Sequence, residues 1–195
     1  DAEILELRRA LRRGPALHPG EHLGDGRFRL VEVIGRGGFA EVWKAYDTKD
    51  RRLVAVKVLH GALIRESSRR ERLFRGAKRM AALRHSNVVR VVVPEGEWEG
   101  FHYFVMEFVP GGDLHRAITE GKLDADRALG MIESIADVLA TAHASGLVHR
   151  DVKPENVMIR TDGLVKVLDF GLAKRSEPQA VDPYGPTLDR SRTHP

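Results

Sequence analysis

The 195-residue sequence contains no cysteine, few aromatic residues (6%) and no long apolar run. Without cysteine there are no disulfides and no cysteine-ligated zinc or iron–sulfur sites, and a reducing cytoplasm, where we expect the protein, is permitted. The most apolar windows, 88–93 and 101–109, fall far short of the roughly 20 residues that span a bilayer, so no membrane span is predicted. No basic stripe interleaved with aromatics is present, which disfavours nucleic-acid binding.

The residues that are present describe a globular chain of one domain or two small lobes. Apolar residues make up 42% and charged residues 31%, with 32 Lys and Arg against 28 Asp and Glu. The chain begins at Asp1 without methionine, so we expect a piece of a longer protein. Residues 1–13 show helical apolar spacing with four arginines; a solvated helix is favoured over one that contacts a membrane or a partner. Glycines and prolines predict a linker over 14–26.

Two regions of different character follow the linker. Strands are predicted over 28–34, 40–46, 53–59, 88–93 and 102–107, with a helix over 65–83 between the third and the fourth. These elements predict a five-stranded antiparallel α+β lobe. After residue 110 the pattern becomes mainly α: Asp113 could cap a short helix, and 126–145 is a long helix with an apolar stripe. A small hairpin over 157–159 and 165–168 follows, and 175–195 resembles a loop.

A glycine-rich turn between the first two of these strands is the first candidate site. At Gly35, Arg36, Gly37 and Gly38 the missing β-carbons would let backbone N–H groups approach a phosphate. A tight hairpin that needs positive φ explains the glycines equally well. Because a strand and not a helix follows, the loop is not a dinucleotide-binding turn, and it lacks the Gly-Lys-Ser/Thr ending of a P-loop. Lys57, on a later strand, could neutralise phosphate oxygens or simply extend to solvent.

Two acidic loops in the second region are the other candidates. The run from His149 to Asn156 contains Asp151, and Asp169, Phe170 and Gly171 follow a strand. Carboxylate and amide oxygens are ligands suited to Mg²⁺, which leaves Asp151 as a candidate general base. Each acid alone could be a surface turn residue, but their joint occurrence in this order favours a site.

Taken together, these segments resemble the signature set of eukaryotic-type (Hanks-type) protein kinases, in a bacterial style. The resemblance covers residues 28–174 and rests on the glycine loop, Lys57, the 149–156 block and 169–171. Lys153, two residues after Asp151, is similar to the serine/threonine branch. The implied fold is a two-lobe α+β kinase fold, with residues 1–27 as helix and linker, 28–109 as N-lobe and hinge, and 110–195 as a partial C-lobe.

The resemblance also implies a role for each site residue, with ATP and Mg²⁺ as cofactors. Asp151 would accept the proton of a protein Ser/Thr hydroxyl, and Lys153 would steady the γ-phosphate. Asn156 and Asp169 would bind Mg²⁺, and Lys57 would hold the α- and β-phosphates. The nucleotide would be enclosed by the glycine loop, the sheet, the hinge and a residue near the ribose: Ile34, Gly35, Arg36, Gly37, Gly38, Val42, Ala55, Met106, Glu107, Val109 and Asp113.

The sequence departs from the family pattern at three places. Ala40 replaces the third glycine of the loop, which is a mild change. Gly76 stands where the family has a helix glutamate that pairs with the lysine, and Glu71 lies about 140° away around the helix. The chain also ends within the activation segment, so we expect a truncated catalytic domain that is marginally stable or prone to aggregate. Arg150 implies control by phosphorylation of that segment, with Thr187, Ser191 and Thr193 as candidates.

The leading interpretation is therefore an ATP-dependent protein serine/threonine kinase, with doubtful activity in this chain alone. The alternative is a nucleotide-binding pseudokinase or regulatory scaffold, which Gly76 and the missing end favour. The retained Lys57, Asp151, Asn156 and Asp169 argue against that alternative. Membrane attachment would require segments that this sequence lacks.

Overall fold

A computed structural model describes residues 16–38, 40–59, 67–170 and 174–175. Its main sheet is antiparallel and contains β1 (His22–Leu23), β2 (Phe28–Arg36), β3 (Ala40–Asp47), β4 (Arg52–Leu59), β5 (Val91–Trp98) and β6 (Phe101–Glu107). The strands are ordered β1-β2-β3-β4-β6-β5. The predicted helix over 1–13, Gly171 and the candidate phosphorylation sites lie outside the described residues. No helix within the described ranges is long and apolar enough to cross a membrane.

The five predicted strands are confirmed, with two differences in the structure. The first is β1, which lies in the stretch interpreted as a linker and pairs with the start of β2. Leu23 is fully buried, so a two-residue strand among glycines is held by its packing and not by a local pattern. The second is β5, which begins at Val91 and extends to Trp98, whereas the prediction began at Val88. Pro94 is tolerated in β5 because this strand forms an edge of the sheet.

Helix α1 (Ser67–Ala82) packs on this sheet with a narrow buried face. Phe74, Ala77 and Met80 are almost completely buried, and Gly76 is buried beside them. The exposed positions of the helix include the basic residues Arg72, Arg75 and Lys78. The helix predicted over 65–83 is thus confirmed for its described part.

The second lobe is built from two capped helices and a small sheet. In α2 (Leu114–Thr119) the Asp113 carboxylate accepts the Arg116 N–H at 2.7 Å, as predicted. In α3 (Ala125–Ala144) Asp124 caps the first turn in the same way. A three-stranded sheet, ordered β10-β9-β7, contains β7 (Gly111–Asp113), β9 (Val157–Arg160) and β10 (Val165–Val167). The predicted hairpin is β9–β10, and a further pair joins β8 (Leu147–Val148) to β11 (Lys174–Arg175).

The apolar face of α3 differs from the predicted stripe. Met131, Val138 and Ala142 are buried and the predicted Ile135 packs beside them, whereas Leu129 and Ile132, also predicted, are 59% and 61% exposed. The inward side faces β8, β10 and the hydrophobic core. Among the described residues no other element covers most of Leu129 and Ile132. The apolar surface of α3 is therefore wider than the face that packs against the core.

The two lobes meet at the segment that follows α1. Val88 forms an isolated parallel bridge with Val167 of β10, and the Val89 N–H donates to the Val167 carbonyl at 3.0 Å. The apolar run at 88–89 is therefore a buried connection between lobes and not the start of a strand. One hydrophobic cluster continues across this junction, with members from β4, α1, β6, α3 and Phe170. The cleft between the lobes lies beside this cluster.

Candidate active site

A cleft of about 620 Å³ lies between the main sheet and the second lobe. A cavity of this size suits a small-molecule ligand. Twelve of the predicted site residues line it: Ile34, Gly35, Arg36, Val42, Ala55, Lys57, Met106, Glu107, Val109, Asp113, Asn156 and Asp169. The other four, Gly37, Gly38, Asp151 and Lys153, are not among the lining residues.

The glycine loop forms the edge of the cleft on the side of β2 and β3. Gly35 lies opposite Val42 in the strand register, and the Gly37 N–H donates to the Ala40 carbonyl at 3.0 Å. Gly35, Gly37 and Gly38 all lack positive φ, which removes the explanation of a hairpin that requires left-handed backbone. A β-carbon added at Gly38 would meet nothing within 4 Å. Among the described residues the backbone at Gly38 therefore has open space beside it, as close approach by a ligand would require.

Apolar side chains from both lobes form the inner part of the cleft. Val42 and Ala55 come from the sheet, and Met106 is paired with Ala55 in the β4–β6 register. Met158 and Leu168 approach from the second lobe, and sequence reasoning missed both. Their position after Asn156 and before Asp169, within a predicted hairpin, was the available signal. The resulting slot suits a flat apolar ring system.

Lys57 and Asp169 meet at the polar end of the cleft. The Lys57 ammonium forms an ion pair with the Asp169 carboxylate, and these side chains are 21% and 38% exposed. Asp169 has a φ of 59° and Arg150 a φ of 66°, a left-handed conformation that residues other than glycine adopt uncommonly. Each of the two loops therefore contains one residue in the left-handed backbone conformation.

His149 holds the loop that carries Asp151. It is 1% exposed, its Nδ1 accepts the Asp151 N–H at 3.3 Å, and its Nε2 lies 2.9 Å from the Leu168 carbonyl. Nδ1 as an acceptor requires Nε2 to be the donor, which describes a neutral imidazole fixed on both sides. The ring also packs against Phe170, with centroids 4.4 Å apart. His149 therefore positions this loop relative to Asp169 and is not placed to act as a base.

Asp151, Lys153 and Asn156 form one contact chain beside the cleft. The Asp151 Oδ2 accepts from Asn156 Nδ2 at 3.1 Å and lies 3.1 Å from the Lys153 ammonium. The hydrogen bond to Asp151 raises the pKa of Lys153, so its positive charge is reinforced. A carboxylate with neighbouring donors and partial solvent contact can accept a proton from a hydroxyl group.

The residues present fit a magnesium ion bound together with phosphates. Asn156 and Asp169 both line the cleft, and the Asn156 amide nitrogen donates to Asp151, which leaves its amide oxygen as the ligand atom. In the described part of the chain, no three or more His, Asp or Glu side chains group around a metal position. Mg²⁺ does not need such a group, since it is commonly held by one or two protein oxygens plus substrate phosphates and water.

Lys57 has no carboxylate partner on the described part of α1. Glu71 is the one acid of this helix; it lies 3.4 Å from Arg75 and is 64% exposed. Gly76 is buried on the side of α1 that carries Met80, one turn later, and Met80 lines the cleft. The structure therefore places an uncharged residue where a carboxylate would face the site.

Comparison with known proteins points to one family. The sequence profile of the protein kinase domain matches residues 28–187. Serine/threonine-protein kinase PksC of Streptomyces coelicolor is 41% identical over 165 residues, which cover 80% of this chain and 30% of that protein. Serine/threonine-protein kinase PknB of Mycobacterium tuberculosis is 42% identical over 158 residues, which cover 78% and 25%.

A solved structure agrees with these relatives. The crystal structure of the Mycobacterium tuberculosis PknI kinase domain has a TM-score of 0.68 and 28% identity, and it covers 82% of this chain and 64% of that one. The chain spans less than a third of the length of the two curated relatives. The profile covers most of the chain, and the relatives are named serine/threonine kinases, so the resemblance and the two-lobe fold class are confirmed. The chain belongs to the protein kinase family, and the two curated relatives are named serine/threonine-protein kinases of bacteria.

Proposed function

We propose that this domain transfers the γ-phosphate of ATP to a serine or threonine hydroxyl of a protein, in the cytoplasm. The observation that carries the proposal is the contact chain of Lys153, Asp151 and Asn156 beside a cleft that contains Lys57 and Asp169. A cation for phosphate, oxygen ligands for a metal and a carboxylate that can accept a proton are the groups that phosphoryl transfer needs.

Each group has a separate task in this reaction. The adenine occupies the apolar slot beside Ala55 and Met106, and Lys57 binds the phosphates. Asn156 and Asp169 hold Mg²⁺, which when bound neutralises charge on the phosphate oxygens. Asp151 accepts the proton as the substrate oxygen attacks the γ-phosphorus and the bond to the β,γ-bridging oxygen breaks, releasing ADP. Lys153 compensates negative charge on the transferred group.

The test is phosphate transfer from radiolabelled ATP to a mixed Ser/Thr peptide library by the full chain and by Asp151→Asn. Because Asp151 is outside the cleft lining, we expect Asp151→Asn to retain ATP binding and to lose transfer by about 10²- to 10⁴-fold. Asp162→Asn is the matched control, since this acid lies on an exposed turn and pairs with Arg160. Equal rates for the chain and Asp151→Asn would contradict the proposal.

A nucleotide-binding scaffold without catalysis is the second candidate. It is favoured by Gly76, which leaves the described part of α1 without a carboxylate facing the cleft. A scaffold of this kind would bind ATP with measurable affinity and show no transfer above the level of Asp151→Asn. The same pair of measurements therefore separates the two functions.

A further inference from the structure

A partly buried ion pair joins Lys166, which has no role in the proposed reaction, to Glu107 at the edge of the cleft. Lys166, on β10, is 7% exposed, and its ammonium is 2.7 Å from Oε1 of Glu107. Glu107 ends β6, and it lines the cleft at the edge where a ligand's adenine would bind. Lys166 does not line the cleft, so it contacts Glu107 from outside the ligand-binding space.

Glu107 is held at this position by a second connection. Its N–H donates to the Arg90 carbonyl at 2.9 Å, and its Oε1 accepts the Arg90 N–H at 2.9 Å. One carboxylate oxygen thus receives both a buried ammonium and a backbone donor. The side chain fixes the backbone direction of the residue that borders the ligand.

The strand β10, which carries Lys166 and leads to Asp169, is fixed by hydrogen bonds between its backbone and Asn87. Val167 donates its N–H to the Asn87 carbonyl at 2.7 Å, and the Asn87 amide donates to the Val165 carbonyl at 2.8 Å. Asp169 follows Lys166 by three residues. The ion pair therefore joins the ligand-binding edge of β6 directly to the segment that positions the metal ligand.

Stability alone is a weak reason for this pair. Burying an ammonium and a carboxylate is unfavourable, and an apolar pair of similar volume is often as stable or more stable. A charged contact is directional, however, and it fixes the relative position of its two backbones more narrowly than apolar packing does.

We propose that the Lys166–Glu107 pair couples occupancy of the β6 edge to the position of Asp169, so that nucleotide and Mg²⁺ bind cooperatively. Lys166 is thus a positioning residue and not a catalytic one. This inference rests on the proposed function, because it requires that the cleft binds a magnesium nucleotide.

The experiment measures the dissociation constant of ADP by calorimetry, with EDTA and with Mg²⁺, for the full chain. The ratio of the two constants is the coupling between nucleotide and metal, and it is reciprocal by linkage. We expect Lys166→Met to reduce this ratio by about 5-fold or more and to change Mg²⁺-free ADP binding by less than about 3-fold. Lys166→Arg retains the charge and restores the ratio. Lys122→Met is the matched control, since Lys122 forms an exposed pair with Glu120.

Lys166→Met leaves Glu107 without its cation, so its folding is checked by thermal unfolding. The double variant Glu107→Leu with Lys166→Met removes both charges together and is expected to fold even where the single variant fails. A folded variant with the ratio of the unchanged chain overturns the inference, because a merely structural role lowers stability without changing the ratio. Failure of the unchanged chain to bind ADP overturns the proposed nucleotide site and this inference with it. ADP binding with an unaltered ratio in the variants overturns this inference alone.

Discussion

Lys57 and Asp169, 112 positions apart in the sequence, form an ion pair across the cleft. In the described structure the lysine thus takes its negative partner from the segment that follows β10, and α1 presents Gly76 on the side that faces the cleft. The same carboxylate is the expected ligand of Mg²⁺. Lys57 and Mg²⁺ would therefore share the carboxylate of Asp169.

Adding a carboxylate at position 76 is expected to reduce the competition between Lys57 and Mg²⁺ for Asp169. Gly76→Glu provides Lys57 with a second partner and leaves Asp169 available to Mg²⁺, so ADP binding with Mg²⁺ should tighten by about 3- to 10-fold. Gly76→Gln has nearly the same shape without the charge and is the control. Calorimetry compares the two, and equal affinities for both variants would count against this explanation.

Removing the charge of Asp169 is expected to separate metal binding from nucleotide binding. Asp169→Asn should retain ADP binding in EDTA and lose most of its strengthening by Mg²⁺, because a neutral amide is a poor substitute for a carboxylate ligand. Lys57→Met should instead weaken ADP binding by about 10-fold under both conditions, since a charge-assisted phosphate contact is lost. Identical behaviour of the two variants would contradict the assigned division of roles.

Asp47 is expected to make stability depend on pH in the acid range. Its carboxylate is fully buried and accepts two hydrogen bonds from Arg27, at 2.9 Å and 2.7 Å. These bonds hold the pKa of Asp47 below its usual value of 3.8. The charged form therefore stabilises the fold above pH 3.8, and this contribution is lost as the pH falls through the lowered pKa.

Asp47→Asn should accordingly cost about 2 to 3 kcal/mol of unfolding free energy at about pH 7, and much less at about pH 2 to 3. Urea unfolding at both pH values measures the difference. Asp50→Asn is the control, because Asp50 is 38% exposed and its pair with Arg27 is longer, at 3.3 Å. An equal loss for Asp47→Asn at both pH values would show that its charge is not responsible.

Gly111 is expected to be intolerant of any side chain. Its φ is 142°, and an added β-carbon would lie 2.0 Å from the Ile159 carbonyl oxygen, inside the β7–β9 pairing. Gly111→Ala should lower the free energy of unfolding by about 3 kcal/mol or more through strain and broken pairing. Gly121→Ala, with φ 64° and open space around it, should cost only about 1 to 2 kcal/mol. Similar losses for both would exclude the steric explanation.

Local patterns predicted most of the fold. The strand-forming residues of β2 to β4, the apolar spacing of α3 and the cap at Asp113 are each visible within a short segment, so the sequence was sufficient for these elements. The run at 88–89 was read as a strand because apolar residues look alike in a strand and in a buried connection. β1 is held by tertiary contacts of Leu23, which no local pattern reveals.

The residues of the candidate site likewise fall into those that the sequence predicts and those that only the structure reveals. Motif residues such as Lys57 and Asp151 were predicted because their order and local context resemble those of the family. Met158 and Leu168 were missed because ordinary apolar residues carry no chemical signal of their own. The pairing of Lys166 with Glu107 joins residues 59 positions apart, and only the folded chain brings them together.

The left-handed backbone of Arg150 and Asp169 has a consequence for how such a domain can evolve. Glycine would adopt φ values of 66° and 59° without strain, so a population selected only for heat resistance would accumulate glycine or asparagine at these positions. Selection that retains a guanidinium and a carboxylate there acts against thermostability.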